Sequence, residues 1–525
     1  MRDLQRPGRS PAYAPRAMAA TSHGLATTAA LEIMRAGGNA MDAAIAACAV
    51  QCVVEPGSTG IGGDNFCLYR PAGGEIVAYN GSGTAPAAAS VEKFAALGVT
   101  TIERTSGHSV VVPGAVDAWA TLNRDHGRLP LADLLAPAVA FARDGYPVGQ
   151  RVASDFERLA SHMATDETLA SIFLADGAPP RMGALHRQPA LARTLEAIGQ
   201  HGRDAFYEGE IARETVEVLQ GRGGLHTVED FATYRGEYVT PISADFRGLT
   251  IHECPPSGQG VIALMMLNVI SGFDVGDDPI TADRIHLELE VCRQCYRVRD
   301  QHVADPTQAD VPVDWLLSEE LAATIRERID MKRANPTPAP LSPKHPDTVY
   351  IAVVDADGNS CSFINTLFEG FGSGITTPSG IVLTNRAQGF TLEPGHPNAI
   401  AGGKRPLHTI IPAIATDGGE TRLTFGVMGG QYQAMGQMQF LSRHLDFGCD
   451  VQEAMDLPRF MADPFTGEVE IEDGVPDAIV ADLAARGHDI ARAVAPVGGS
   501  QAIRSENGML QGGSDPRKDG CALGY

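Results

Sequence analysis

The chain has 525 residues, of which 44% are hydrophobic and 20% are charged, a composition typical of globular proteins rather than disordered ones. Its 41 Lys and Arg against 64 Asp and Glu give a formal net charge of −23, which argues against nucleic acid or an anionic membrane surface as a partner. The first residues lack the apolar run of about 7–15 residues found in signal peptides, and no stretch of about 18 apolar residues follows. We therefore expect a cytoplasmic protein with no membrane span.

Small residues dominate the first predicted elements. Residues 17–55 predict a helical layer, in which Gly37-Gly38 ends a first helix, Asn39 caps a second and Pro56 stops it. After this layer, glycine-rich turns separate the β-type runs NFCLYR and EIVAYN. This alternation predicts a hairpin.

Residues 113–335 predict mostly helices, interrupted by the strand-like insert PISADFRGLTIHECPPS. Cys292 and Cys295 form a CxxC within a helix-like stretch, and no second CxxC or CxxH follows. We therefore predict a helical core pair there rather than a zinc or redox site. The nine cysteines are odd in number and widely spread, which fits reduced thiols.

Residues 333–347 contain five prolines and few bulky apolar groups. This composition predicts an extended, exposed segment. The segment is the best candidate for a cleavage site or a linker. Strand-like runs follow it: TVYIAVVD, SCSFINTLF, GIVLTNR, TIIPAIAT and TRLTFGV. Helices are predicted in QYQAMGQMQFLSRHL and DAIVADLAARG. The pattern as a whole favours a layered α+β body.

The segment DTVYIAVVDADGNSCSFINTLFEGFGSGI resembles the start of the catalytic subunit in the γ-glutamyltransferase family. The similarity extends to GGNAMDAAIAA, VEPGSTGIGGDNF, FYEGEIA, PPSGQG, KRPLHTIIPAI, MGGQYQ and SDPRKDGCALGY, and so covers nearly the whole chain. It implies the αββα sandwich of N-terminal-nucleophile hydrolases, with two packed antiparallel sheets between outer helices. It also implies that no metal and no organic cofactor is used.

The resemblance further implies autocatalytic cleavage of the peptide bond between Asp347 and Thr348. The products are residues 1–347, mostly helical with a β insert, and residues 348–525, which begin at the nucleophile; both stay in one αββα body as a heterodimer. Thr348 then supplies a hydroxyl nucleophile and an α-amine base. Thr366 is expected to orient that hydroxyl, and Gly429 and Gly430 to offer backbone N–H groups to the oxyanion.

The chain departs from the family in the pocket that holds the free amino acid head of a glutamyl substrate. Ser82 replaces an arginine, Phe368 an asparagine and Gly389 an aspartate, while His408-Thr409 stand for two serines. The stretch FTLEPGHPNAIAGGKRPL is also shorter than the family segment that usually carries a lid loop. This pattern resembles a branch of glutathione-hydrolase-like proteins, cephalosporin acylases and oxamate amidohydrolases.

Ser82, Arg386, His408 and Thr409 are therefore our candidates for substrate binding. Arg386 and His408 are the candidates for holding a substrate carboxylate; a surface arginine and a structural histidine are the alternatives. The favoured hypothesis is a self-processing amidohydrolase that acts on a small amide carrying a carboxylate. A γ-glutamyltransferase or glutathione hydrolase proper is the alternative, and a non-catalytic member that keeps the fold comes last.

Overall fold

The computed structural model describes residues 8–274, 276–335 and 346–525, with Pro346 and Asp347 described by their backbone alone. Within these residues the strands, numbered in chain order, are β1 (Ala12–Ala14), β2 (Met18–Thr21), β3 (Asp64–Arg70), β4 (Val77–Gly81), β5 (Tyr146–Pro147), β6 (Leu185–His186), β7 (Glu237–Val239), β8 (Ile242–Phe246), β9 (Leu249–Glu253), β10 (Pro346–Val354), β11 (Ser360–Glu369), β12 (Ala413–Asp417), β13 (Glu420–Met428), β14 (Phe460–Ala462), β15 (Val469–Ile471), β16 (Ile490–Arg492), β17 (Gly499–Glu506), β18 (Met509–Ser514) and β19 (Cys521–Gly524).

The helices are α1 (Gly24–Arg35), α2 (Ala40–Val54), α3 (Val91–Ala96), α4 (Ala115–His126), α5 (Leu131–Asp144), α6 (Gln150–Met163), α7 (Glu167–Phe173), α8 (Pro189–His201), α9 (Asp204–Tyr207), α10 (Glu210–Gly221), α11 (Val228–Thr233), α12 (Gly260–Ile270), α13 (Ala282–His302), α14 (Val313–Leu316), α15 (Glu319–Glu327), α16 (Tyr432–Leu445), α17 (Val451–Asp456) and α18 (Asp477–Ala485). Short 3-10 helices span Gly107–Ser109 and Arg386–Gly389. Among the described residues, no helix is both long and apolar enough to cross a bilayer.

Two seven-stranded antiparallel sheets form the centre of the molecule. Sheet I has the order β1-β18-β17-β13-β12-β9-β8, and sheet II has the order β19-β2-β10-β11-β3-β4-β7. The strands β14, β15 and β16 form a small third sheet, and β5 pairs with β6. Strands from both ends of the chain therefore meet in each of the large sheets.

Alternate residues of β10 show how the layers are stacked. Ile351 and Val353 are buried in the hydrophobic cluster that contains α1 and α2. Tyr350 and Ala352 are buried in a second cluster, together with sheet I residues such as Ile414. Because neighbouring side chains of a strand point to opposite faces, one face of sheet II packs on helices and the other packs on sheet I.

Helices also cover the outer face of sheet I. Phe425 and Val427 of β13 are buried in a cluster that contains residues of α12, α13 and α16. The order of layers is therefore helix, sheet, sheet, helix. This confirms the predicted αββα sandwich.

The helix α2 begins where the sequence predicts. The side chain of Asn39 accepts the backbone N–H of Asp42 at 3.0 Å, and the side chain of Asp42 accepts the backbone N–H of Asn39 at 3.1 Å. This reciprocal pair satisfies two donors that a helix start leaves open. Alanines line the helix on all sides and are fully buried, so it packs closely between sheet II and its neighbours. The β3–β4 hairpin is also found as predicted.

Two expectations for local structure were wrong. Residues 18–21 form β2 instead of part of the helical layer, because their backbone pairs with β10 and β19. The strand-like insert around residues 242–253 does form strands, and these strands, β8 and β9, complete one edge of sheet I. The run GIVLTNR makes only isolated bridges, such as that between Thr376 and Val382.

Two further expectations concern the cysteine pair and the proline-rich segment. Cys292 and Cys295 lie buried in α13 as free thiols, which confirms the helical core pair. Of the proline-rich segment, residues 336–345 lie outside the described residues. Pro346 and Asp347 open β10 and pair with β11, so the segment ends inside sheet II.

Candidate active site

Thr348 lies at an irregularity in the pairing of β10 with β11. The register of the pair shifts between Asp347 and Val349, so Thr348 sits at a bulge. Bulges redirect a side chain and are frequent beside active sites. The side chain of Thr348 is fully buried in the intact chain.

Among the described residues, the side chains of Thr366 and Gln433 contact the Thr348 hydroxyl. The Oγ1 atoms of Thr348 and Thr366 lie 3.3 Å apart, and Gln433 Nε2 donates to Thr348 Oγ1 at 3.5 Å. Thr366 Oγ1 also accepts the backbone N–H of Phe368 at 2.8 Å. The hydroxyl proton of Thr366 therefore does not point at the Phe368 nitrogen. The structure therefore brings Thr348 and Thr366 together, as the resemblance implied.

Gly429 and Gly430 form the turn between β13 and α16. Their φ angles are 115° and 54°, values that favour glycine. A Cβ on Gly429 would lie 2.8 Å from Gly498 Cα, so the close approach of backbone also requires glycine there. The Gly430 carbonyl accepts the backbone N–H of Gln433 at 3.1 Å. The turn therefore lies three residues before Gln433, the residue of α16 that contacts Thr348.

Sequence reasoning missed Gln433. Its Oε1 accepts the backbone N–H of Ile411 at 3.2 Å, which fixes the carboxamide so that Nε2 faces Thr348. A glutamine in the first turn of a predicted helix gives no local signal of such a role. Only its position three residues after the glycine pair in MGGQYQ could have drawn attention to it.

A second cluster centres on Asp64, which sequence reasoning also missed. Asp64 Oδ1 accepts the backbone N–H of Gly83 at 2.7 Å. Its Oδ2 lies 3.3 Å from Arg386 Nε and 3.2 Å from His408 Nε2. These three side chains are completely buried. Asp64 is the first residue of β3 and directly follows Gly62-Gly63. An acidic residue after two glycines is only a weak sequence signal for a functional site.

Burial and mutual contact shift the pKa values in this cluster. Burial and, to a smaller extent, the nearby Arg386 cation lower the pKa of His408 to about 4, so the imidazole is neutral near pH 7. Burial lowers the pKa of Arg386 to about 10 despite the attraction of Asp64. Burial alone would raise the pKa of Asp64, but His408 and Arg386 together lower it. Arg386 is therefore the cation of the cluster, and Asp64 its anion.

Arg386 is not at the surface. Its Nη1 donates to Thr409 Oγ1 at 3.3 Å, and its guanidinium carbon lies 3.9 Å from the centre of the Phe368 ring. Its Nη2 has no hydrogen-bond partner within the described part of the chain. A buried donor without a partner is unfavourable, so this atom has unused hydrogen-bonding capacity.

Ser82 lies beside this cluster but its hydroxyl points away from it. Ser82 Oγ donates to Asn80 Oδ1 at 2.6 Å, and its carbonyl accepts the hydroxyl of Tyr234 at 2.8 Å. The structure therefore brings Arg386, His408 and Thr409 together around Asp64, while the Ser82 side chain stays within its own loop.

Among the residues that the structure describes, one group has the composition of a metal site: His286, Glu290 and His488. Arg293 Nη1 donates to His488 Nδ1 at 2.9 Å, and a guanidinium only donates. His488 Nε2 must then carry the proton and donate it to His286 Nδ1, 2.7 Å away. Both rings thus use their lone pairs within this chain of hydrogen bonds, and we assign it a structural role.

Comparisons with known proteins agree with this geometry. A sequence model described as Gamma-glutamyltranspeptidase matches residues 26–525. The chain is 36% identical to the Glutathione hydrolase-like YwrD proenzyme of Bacillus subtilis, over 97% of this chain and 98% of that protein. It is 35% identical to the Oxamate amidohydrolase proenzyme of Klebsiella pneumoniae, again over 97% and 98%.

A solved structure supports the same assignment. The crystal structure of cephalosporin acylase from Bacillus halodurans superposes with a TM-score of 0.93 at 39% identity, over 100% of this chain and 99% of that one. The αββα layers and the match along nearly the whole sequence have one explanation: the chain belongs to the gamma-glutamyltranspeptidase family of N-terminal-nucleophile hydrolases.

Proposed function

We propose that the chain cuts itself between Asp347 and Thr348, and that Thr348 then hydrolyses an amide through an acyl-enzyme. The observation that carries the proposal is the buried Thr348 hydroxyl, which lies at a bulge between Thr366 Oγ1 and Gln433 Nε2. The glycine turn of residues 429–430 begins the helix that carries Gln433. The proposed nucleophile is then supplied by β10, the orienting groups by β11 and α16, and the oxyanion donors by the turn between β13 and α16.

In the self-cut, Thr348 Oγ1 attacks the carbonyl carbon of Asp347, and the peptide C–N bond breaks as the proton moves to the nitrogen. Water then hydrolyses the resulting ester. The freed α-amine of Thr348 becomes the base for later turnover, because a threonine hydroxyl is a weak nucleophile until a neighbouring base takes its proton. The same hydroxyl thus serves maturation and catalysis.

In turnover, Thr348 Oγ1 attacks the substrate carbonyl while the α-amine takes its proton and passes it to the leaving amine. The backbone N–H groups of Gly429 and Gly430 are the proposed donors to the oxyanion, a contribution of about 3–4 kcal/mol for each donor in comparable enzymes. Water then attacks the acyl-enzyme, and the acid product leaves. No step requires a metal or an organic cofactor.

The two fragments, residues 1–347 and 348–525, are proposed to remain one body. In sheet II the strands β10, β11 and β19 pair among β2, β3, β4 and β7; in sheet I the strands β12, β13, β17 and β18 lie beside β1, β8 and β9. Strands from both fragments share each hydrophobic core, so separation would expose apolar surface at a large free-energy cost.

We propose an amide with a carboxylate as the substrate. Relatives named as an oxamate amidohydrolase, a cephalosporin acylase and a glutathione hydrolase-like protein all bear names of amide-cleaving enzymes. Arg386 supports a carboxylate next to the scissile bond, because its Nη2 is a buried donor without a partner among the described residues. His408, in its neutral form, and Thr409 are proposed to position that carboxylate. Ser82 is proposed to shape the loop next to Asp64.

Denaturing mass spectrometry and an amide panel test the proposal. The wild type should yield two fragments, the smaller beginning TVYIAVVD, and should hydrolyse oxamate, glutaryl or γ-glutamyl amides. Thr348→Ala should remain one chain and be inactive, while Thr348→Ser, which keeps a hydroxyl, should still be cut. A Thr348→Ala protein that is cut or hydrolyses the amide would falsify the assignment. Preference for γ-glutamyl amides with a dipeptide acceptor would instead favour a γ-glutamyltransferase proper.

A further inference from the structure

Gln259 is a fully buried residue of the stretch PPSGQG, which no step of the proposed mechanism uses. It directly precedes α12, yet its side chain makes no capping hydrogen bond to that helix. Short polar side chains are the usual caps at this position, so helix stability does not account for a glutamine here. A Cβ on the preceding Gly258 would lie 2.9 Å from the Phe66 ring. One on the following Gly260 would lie 2.8 Å from the carbonyl oxygen of Cys254. The close packing on both sides holds the backbone of Gln259 in place.

The carboxamide of Gln259 joins two segments of the candidate active site. Its Nε2 donates to the backbone carbonyl of Thr409 at 2.9 Å and to that of Gly430 at 3.0 Å. A carboxamide nitrogen carries two protons, so one is available for each carbonyl. The backbone N–H of Gln259 also donates to the carbonyl of His408 at 2.9 Å. One residue therefore ties the segment proposed to hold the substrate carboxylate to the glycine turn.

Arg299 determines which way this carboxamide points. Arg299 Nη1 donates to Gln259 Oε1 at 3.0 Å. Because a guanidinium can only donate, the oxygen of the carboxamide must face Arg299, and the nitrogen must face the two carbonyls. The Arg299 side chain is itself almost completely buried, and its Nε pairs with Asp300 at 2.8 Å. The orientation of Gln259 is thus fixed by a charge-assisted hydrogen bond.

The residue after the glycine turn is held from the same side. The carbonyl of Gln431 accepts the hydroxyl of Tyr296, and its side-chain oxygen accepts Arg299 Nη1. Gly429 and Gly430 both have positive φ angles, and two successive glycines are conformationally permissive. Contacts from outside the turn are therefore needed to hold it in one conformation. The carboxamide bonded to the Gly430 carbonyl is such a contact.

A buried glutamine can also bind a backbone carbonyl for stability alone. Gln188 Nε2 donates to the carbonyl of Val53 at 2.7 Å, and neither residue belongs to the candidate site. Gln259 differs because both of its carbonyl partners belong to that site. Loss of its two donors would free the turn to move relative to Thr409.

We propose that Gln259, oriented by Arg299, is a positioning residue that sets the glycine turn in register with the segment that contains Thr409. This inference rests on the proposed function and deepens it, since the turn is the proposed oxyanion site and the segment the proposed carboxylate site. A misplacement of about 1 Å can cost about a hundredfold in rate. The cost should appear in kcat rather than KM, because the oxyanion develops only in the transition state.

Gln259→Met tests the role, because methionine fills a similar space but offers no N–H donor. The substrate is whichever of the oxamate, glutaryl and γ-glutamyl amides the wild type cleaves fastest. In the variant, kcat should fall about tenfold to a hundredfold, while KM changes by less than about twofold. The matched control, Gln188→Met, removes a buried carboxamide of the same kind and should keep a kcat near that of the wild type. An unchanged kcat in Gln259→Met, or equal losses in both variants, would overturn the inference.

Variants of Arg299 test the same contact from its other side, also in the event that Gln259→Met does not fold. Arg299→Lys keeps a cationic donor and should retain most of the activity, whereas Arg299→Met should lose about as much kcat as Gln259→Met. The variant with both methionines should lose no more than the larger single loss, because the two side chains act through one contact. Losses that multiply, or a rise in KM alone for Arg299→Met, would contradict the inference.

Amide hydrogen exchange separates a failure of this inference from a failure of the proposed function. The backbone N–H groups of Tyr432 and Gln433 bind the carbonyls of the glycine turn. They should exchange about tenfold faster in Gln259→Met than in the wild type or in Gln188→Met, as expected when one hydrogen bond to the turn is lost. If the wild type cleaves none of the amides, the proposed function is at fault, and exchange alone decides whether Gln259 holds the turn. Equal exchange in Gln259→Met and the wild type would show that it does not.

Discussion

The carboxamide of Gln433 donates to the hydroxyl of Thr348 across 3.5 Å. The other end of the carboxamide is fixed by the backbone N–H of Ile411, and the backbone N–H of Gln433 binds the carbonyl of Gly430. The helix α16 therefore ties the nucleophile to the glycine turn. Any change in the first turn of this helix affects both.

Gln433→Glu should slow turnover near neutral pH, because an ionised carboxylate cannot donate to Thr348 Oγ1 and repels the charge that develops there. The loss of a donor to a developing negative charge corresponds to about 10²–10³ in rate. As the pH falls and the carboxyl is protonated, it can donate again. The rate relative to Gln433→Met, which has no donor at any pH, should therefore rise in acid. Parallel pH profiles for the two variants would contradict this role.

Gly429→Ala should strongly reduce turnover, because a Cβ there meets Gly498 Cα at 2.8 Å and φ is 115°. The control is Gly448→Ala, where φ is also positive at 68° but nothing lies within 4 Å of the added Cβ. A residue forced into such a conformation costs about 1–3 kcal/mol. Both variants should lose stability in denaturant titrations, and only Gly429→Ala should lose more than about a hundredfold in kcat/KM. Comparable activity of the two would argue against the glycine turn as the oxyanion site.

Phe368→Asn should fold well, because Phe368 has a φ of 79° and asparagine tolerates this region better than other side chains. It removes both the ring over Arg386 and an apolar part of the wall of a cavity of about 380 Å³ that Thr409 and Gln431 also line. Turnover of bulky apolar amides should therefore fall more than turnover of small amides. The control Phe368→Leu keeps an apolar wall but not the tolerance for positive φ, so it should be less stable than Phe368→Asn by about 1 kcal/mol. The opposite order of stabilities would contradict the argument.

His408 should make the protein less stable in acid. Its pKa is lowered to about 4 in the folded chain, against about 6.5 when unfolded. Between these values the unfolded chain binds a proton that the folded chain does not, so stability is present above about pH 6.5 and is lost as the pH falls to about 4. For this fully buried group the loss at pH 5 is about 2 kcal/mol. Further histidines with lowered pKa values act in the same direction: His23, His162, His186, His226 and His488.

His408→Gln isolates this contribution. The free energy of unfolding, measured by denaturant titration at pH 7.5 and pH 5, should fall by about 2 kcal/mol less in the variant than in the wild type. An unchanged difference between the two pH values would show that His408 is protonated equally in both states.

Much of the fold follows from local sequence patterns. The Asn39 cap, the β3–β4 hairpin and the strands β10 and β11 are found where predicted, because caps, turns and strand propensity depend on neighbouring residues. β2 was missed because MAAT has little strand character of its own; its pairing with β10 and β19 makes it a strand. GIVLTNR has strand composition but finds only isolated bridges.

The sequence by itself determined the type of chemistry through its resemblance to the family, which implies the threonine after the proline-rich segment as nucleophile, together with Thr366 and the glycine pair. Their roles stay predictions, and the structure adds that the two threonine hydroxyls lie 3.3 Å apart. Only the tertiary structure decided what surrounds them. Asp64 and Arg386 are 322 residues apart in the chain, and Gln433 and Thr348 are 85 apart. Such contacts arise from packing of sheets and helices, which carries no local signature in the sequence.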